Sequence, residues 1–135
     1  MLRTALIGAA ILGMSAAAAI AAPPPPTPGD VAVFKEKGAY VFRSANDSRP
    51  LYTFDRDAAG KSNCKDACAT AWPPLAAAEG GATVGDWSVI RRDDGSHQWA
   101  WRGRPVYTFA KDGPEKATGD GLGGVWRLLP TASAS

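Results

Sequence analysis

Methionine does not occur beyond Met14, histidine occurs once, as His97, and cysteine only as Cys64 and Cys68 in a chain of 135 residues. Each scarcity removes a class of chemistry. One histidine and no later methionine leave no axial pair for a haem, and acid–base catalysis lacks its usual carrier. The glycine run Gly119 to Gly124 follows no predicted strand and lacks a Lys-Ser or Lys-Thr partner, so it is not a phosphate-cradling loop. There is no Gly-x-Ser-x-Gly elbow to present a serine nucleophile. Basic runs are missing too: 15 Lys and Arg are mixed among 13 Asp and Glu, a pattern that does not suit nucleic acid. The sequence shows no enzyme and calls for no cofactor.

What is present begins with a leader. Met1-Leu2-Arg3 supplies a short positive start, Ala5 to Ala19 is apolar or small, and Ala19-Ile20-Ala21 is a small-x-small cleavage pattern. A cut after Ala22 would place Pro23 first, so cleavage is expected after Ala21. An uncleaved membrane anchor is the rival, but the stretch is long enough only if every weakly apolar alanine counts. No cysteine follows the cut, so no lipid anchor is expected and the exported chain should be soluble in the periplasm or outside the cell. Residues 1–21 are thus read as a signal peptide and 22–30, with Pro23 to Pro26 and Pro28, as a stiff extended spacer. Residues 31–130 form the folded part, and 131–135, of small residues, a disordered tail.

Inside the folded part lies a duplication. Arg49-Pro50-Leu51-Tyr52-Thr53-Phe54-Asp55-Arg56-Asp57 returns as Arg104-Pro105-Val106-Tyr107-Thr108-Phe109-Ala110-Lys111-Asp112, with six of nine positions identical. Aromatic and β-branched residues at period two predict strands, and Ala39 to Arg43 followed by Pro50 to Phe54 predicts a hairpin. His97 to Trp101, the Arg102-Gly103 turn and Arg104 to Phe109 predict a second hairpin; Trp87 to Arg91 and Val125 to Leu129 add strands. One short helix is expected over Cys64 to Trp72, capped by Asn63 with Asp66 three positions on and stopped by Pro73-Pro74. The fold class is therefore mainly β: a single small domain of two duplicated antiparallel hairpin or meander units and one short Cys-x-x-x-Cys helix.

These residues resemble a group of small secreted or lipid-anchored bacterial proteins with the motif Tyr-x-(Phe/Trp/Tyr)-x-x-Asp, known as a secreted repeat of unknown function. Tyr52, Phe54 and Asp57 match the motif once, and Tyr107, Phe109 and Asp112 match it again. Cys64, Cys68 and Trp72-Pro73-Pro74 fit the pattern that follows the first copy, and Gly119-Asp120-Gly121 leading to Trp126 fits the second. The lipidation cysteine carried by many members is missing. The resemblance implies export but brings no established activity.

These positions admit two chemistries. An aspartate just after a strand accepts N–H bonds in the following turn, which makes Asp57 and Asp112 strand-and-turn determinants; paired ligand carboxylates are the alternative. Asp55, Asp57, Gly60, Asn63 and Asp66 have partial calcium-loop spacing, but Ala59 offers no oxygen at the fifth position. Cys64 and Cys68 lie one helical turn apart, close enough for a disulfide or for a two-thiolate metal site with His97 as a distant partner. The expected function is an exported, non-catalytic structural or binding module of the cell envelope. Its exposed aromatic face would meet an envelope protein or small ligand. The alternative is a periplasmic redox or copper-handling accessory protein acting through Cys64 and Cys68.

Overall fold

Strand β1 (Val31–Glu36) turns through Lys37-Gly38, both at positive φ (48° and 77°), into β2 (Ala39–Ser44), as the computed structural model, which describes residues 5, 7–13 and 21–133, shows. Two positive φ values give the primed turn whose twist suits a two-residue hairpin, and Gly38 adopts its value without a side-chain penalty. The register runs from Val31 opposite Ser44 to Glu36 opposite Ala39. This hairpin replaces the expected pairing of β2 with the first motif strand. Only a bridge between Arg43 and Pro50 joins those two. Pro50 has no N–H to continue a ladder, and the chain then leaves for the other sheet.

That second sheet has five strands in the order β4–β5–β6–β3–β7. They are β3 (Tyr52–Phe54), β4 (Trp87–Arg91), β5 (His97–Trp101), β6 (Arg104–Tyr107) and β7 (Trp126–Leu128). The two motif strands β3 and β6 are antiparallel neighbours with Tyr52 directly opposite Tyr107. Because these are equivalent positions of the duplication, a pseudo-twofold axis passes between them. Matching backbone bonds follow on either side: Leu129 N–H to Leu51 O (2.8 Å) and Leu75 N–H to Val106 O (2.9 Å), Asp55 N–H to Val125 O (2.8 Å) and Ala110 N–H to Ala71 O (2.9 Å). The copies therefore exchange their ends. β7, which closes the second copy, pairs with β3 of the first. Residues 71–77, which close the first copy, bond to the second copy through Tyr107, Thr108 and Ala110 beside β6 and through β5. That closing segment makes bridges rather than a full strand because Pro73 and Pro74 supply no N–H donors.

The aromatic residues fill two clusters. One gathers Val31, Phe42, Leu51, Leu75, Trp87, Trp99, Val106 and Leu129; the other gathers Tyr52, Cys64, Trp72, Tyr107, Phe109 and Trp126. Nine of the twelve aromatic side chains are buried, and Phe34, Phe54 and Trp101 are half-buried. The exposed aromatic face expected from the sequence is therefore absent among the described residues. Burial of each large ring contributes about 1.5–3 kcal/mol, and a domain this small uses nearly all of them for its own core.

Three further expectations change. The helix α1 covers only Ala67–Ala71, because Asp66 sits at φ 54° and breaks the turn between it and Cys64. Asn63 does not cap it: its N–H is held by Asp57 Oδ1 (2.7 Å) and its Nδ2 donates to Arg56 O (2.8 Å). The proline segment lies on the domain. Pro28 is buried, Trp99 Nε1 donates to Asp30 Oδ2 (2.8 Å), and Tyr40 Oη donates to Ala22 O (2.6 Å). In place of a disordered tail, Ala132–Ser133 forms β8 and pairs with Ala39 and Tyr40 of β2, making a three-stranded sheet β1–β2–β8. Most of the leader, residues 1–4, 6 and 14–20, lies outside the described residues, as do 134 and 135. No helix among the described residues is long and apolar enough to cross a membrane.

Candidate functional site

The six motif residues converge on the pseudo-twofold axis, and they do so crosswise. Tyr107 Oη donates to Asp57 Oδ2 at 2.7 Å, while Tyr52 Oη donates to Asp112 Oδ2 at 2.5 Å. Each copy's phenol is thus held by the other copy's carboxylate. The local reason is the turn after each strand: Asp57 N–H bonds Phe54 O and Asp112 N–H bonds Phe109 O, both at 3.0 Å. Those turns swing each carboxylate back towards the axis. The second oxygen of each aspartate collects the backbone N–H six residues on, Asn63 (2.7 Å) for Asp57 Oδ1 and Thr118 (2.9 Å) for Asp112 Oδ1, with Thr118 Oγ1 added at 2.6 Å. Asp112 is only 3% exposed, so its satisfaction by three donors is what makes its burial tolerable.

Above these locks the rings form one column. Phe54 stacks on Trp126 (4.3 Å, 13°), Trp126 on Trp72 (3.8 Å, 4°) and Trp72 on Phe109 (4.2 Å, 21°). Each phenylalanine again meets the tryptophan of the other copy. Tyr52 meets Trp72 edge-on and Tyr107 meets Trp126 edge-on, both at 5.2 Å. Gly119 lets the column close: a Cβ there would lie 2.5 Å from Trp72 Cη2 and 3.1 Å from Phe109 Cδ1.

Electrostatics follow the burial. Loss of solvation, then the hydrogen bond to Asp112, raises the Tyr52 phenol above its ordinary value of 10.0. Loss of solvation, then the bond to Asp57, does the same to Tyr107. Asp57 is raised from 3.8 by loss of solvation, which outweighs the lowering by Asn63 N–H, the Tyr107 hydroxyl and the Arg92 charge.

Cys64 and Cys68 form a disulfide with Cα atoms 5.2 Å apart, Cys64 fully buried against the second cluster and Cys68 half-exposed. Beside it runs a buried polar chain that the sequence did not reveal. Arg92 donates from Nη1 to Gln98 Oε1 (2.7 Å) and Ser62 Oγ (2.9 Å), and from Nη2 to Cys64 O (2.6 Å). Ser62 Oγ in turn shares a 2.6 Å bond with Tyr107 Oη, and Gln98 Nε2 donates to Val106 O (2.8 Å). A cleft of about 270 Å³ opens outside Arg92 between Ser62, Lys65, Asp66, Asp93 and Asp94. The aspartates of the calcium-like spacing do not converge: Asp55 pairs with Arg127 (2.9 Å) and both oxygens of Asp57 are taken. His97 starts β5 opposite Arg91, and no group of three or more His, Cys, Asp or Glu gathers among the described residues. Thr118 and Gly119 were legible in principle, since they stand at the same distance from Asp112 as Asn63 and Cys64 from Asp57. Arg92, Ser62 and Gln98 carried no pattern.

A family model described as a secreted repeat of unknown function matches residues 44–76 and 88–129, more than half of the chain. The two matched stretches contain the two motif copies, one each. No curated protein and no solved structure matches the chain.

Proposed function

This chain belongs to the family of secreted repeats of unknown function, and from that premise we propose that it is an exported, non-catalytic structural or binding module of the cell envelope. One observation carries the proposal. Every polar motif atom is engaged by another residue of the fold, which supports a structural use of the motif that defines the repeat. A binding role would fall to the polar loops, with an envelope protein or a small ligand as partner. The molecule would work in the periplasm or outside the cell, without a lipid anchor. Osmotic-shock fractionation with intact-mass measurement tests this. The expected product starts at Ala22, is released in soluble form, and carries no lipid mass. A chain retaining Met1 in the membrane fraction would overturn it. Redox or copper handling through Cys64 and Cys68 has the half-exposed Cys68 in its favour; thiol counting with and without reductant, followed by metal analysis, separates it from the scaffold role.

A further inference from the structure

We propose that the central column is a one-electron relay, in which the stacked Trp72–Trp126 pair takes an oxidising equivalent and Tyr107 or Tyr52 stores it as a neutral radical after passing its proton to Asp57 or Asp112. Two independent features support this. Aromatic rings pair edge-on or as offset stacks, and an offset parallel pair brings the two π systems into overlap. Trp72 and Trp126 lie parallel within 4° with centroids 3.8 Å apart, so their π systems overlap. Overlapping indoles share a radical cation between them, so the pair is a place where an oxidising equivalent delocalises. Next, a phenol loses an electron readily only if its proton has somewhere to go. Tyr52 and Tyr107 each donate to a carboxylate, at 2.5 and 2.7 Å, whereas the remaining tyrosine, Tyr40, donates to a backbone carbonyl that cannot take a proton. Each of these phenols touches one indole of the pair, at 5.2 Å.

Trp87, Trp99 and Trp101 belong to the other cluster and neither Tyr52 nor Tyr107 packs on them. No methionine follows Met14, and no free thiol occurs among the described residues. The oxidant named by this chemistry is an oxidised metal complex. It gains one electron from the indole pair, which becomes a radical cation. Tyr107 then gives one electron to the pair, restoring both neutral indoles, while its hydroxyl proton moves along the existing hydrogen bond to Asp57. The products are a neutral tyrosyl radical and a neutral carboxylic acid; protons and charge within the protein otherwise balance. A reduced metal complex returns the electron, and the proton moves back from Asp57 to the phenolic oxygen. Tyr52 and Asp112 are the equivalent pair across the axis. This relay goes beyond the scaffold role, which stands or falls on the fractionation result instead.

The test uses the purified exported chain and photogenerated tris(bipyridyl)ruthenium(III) as oxidant, followed by transient absorption. In the wild type an indole radical with the near-infrared charge-resonance band of a shared dimer should appear first. It should then convert to tyrosyl radical with a solvent deuterium isotope effect. The Asp57→Asn, Asp112→Asn double variant should slow that conversion by at least about tenfold while circular dichroism stays native, and Asp57→Glu, Asp112→Glu should restore part of it. If the double variant does not fold, the wild-type band and isotope effect decide alone. A wild type without the charge-resonance band, or with tyrosyl formation insensitive to deuterium, overturns the proposal. So does a folded double variant with unchanged kinetics.

Discussion

Replacing Tyr52 with phenylalanine removes one oxygen and, on the geometry described, two hydrogen bonds. The phenol donates to the Asp112 carboxylate at 2.5 Å and accepts from Gly119 N–H at 3.2 Å, in a site where Tyr52 has no exposed surface. A bond to a charged group contributes about 1.5–3 kcal/mol net, and the orphaned amide adds to that, so the expected loss is about 2–4 kcal/mol. In urea this moves the midpoint down by roughly 1–2 M for a domain of this size. Asp112→Asn keeps the shape and the bonds from Thr118 but weakens the phenol's acceptor. A double-mutant cycle over Tyr52 and Asp112 should therefore return a coupling of about 1.5–3 kcal/mol. The same cycle over Tyr107 and Asp57 should return less, because Asp57 is half-exposed and water can take the vacated oxygen, while Tyr107 can turn to Ser62. A coupling near zero across the first pair, or the reverse order of the two pairs, would refute the crosswise lock.

Gly119→Ala should destabilise by about 1–3 kcal/mol, read by thermal unfolding, because its Cβ is aimed at Trp72 and Phe109; an unchanged melting temperature would mean that the column is not closed there. Asp57 binds its proton more tightly in the folded chain than its ordinary 3.8, so its contribution to stability is fully present below that value and is lost as pH rises through the folded value. The stability gap between wild type and Asp57→Asn, measured by urea unfolding, should accordingly widen in favour of wild type as pH falls towards 3.8. Replacing both Cys64 and Cys68 with Ala should cost about 2 kcal/mol or less, since the closed loop is very short, and the chain should keep its circular dichroism. Folded but functionally dead double-Ala protein would favour the redox role.

The strands were legible where period and turn chemistry acted locally. The duplicated Tyr-x-Phe pattern located β3 and β6, and Arg102-Gly103 gave the tight turn between β5 and β6. Tyr52 and Phe54 share a face, as do Trp99 and Trp101, and each pair does pack on one cluster. What stayed hidden depends on which copy meets which. Nothing in one strand tells Asp57 to bond Tyr107 rather than Tyr52, because that choice is made by the exchange of the closing segments across the axis. The aromatic surplus suggested an exposed face only because the sequence cannot show that two copies share one column of rings. The hairpin β1–β2 departs from the expected one because β2 finds its partner in Val31–Glu36, through the Lys37-Gly38 turn, rather than in the segment that begins at Pro50. The helix is shorter than the Asn63 cap signal implies, because Asp57 Oδ1 engages the Asn63 N–H and Asp66 leaves the helical region at φ 54°. Arg92 illustrates the limit most clearly: its neighbours in sequence, Arg91, Asp93 and Asp94, are exposed charged residues, and its partners are Ser62, Gln98 and the Cys64 carbonyl.

The crosswise lock itself is most directly visible through its own protons. Both phenolic hydrogens lie in short bonds to carboxylates within a packed core, so they should exchange slowly and resonate well downfield in proton NMR. Nuclear Overhauser contacts should then run from the Tyr52 hydroxyl proton to the β protons of Asp112, and from the Tyr107 hydroxyl proton to those of Asp57. Contacts from Tyr52 to Asp57 and from Tyr107 to Asp112, each within its own copy, would contradict the account.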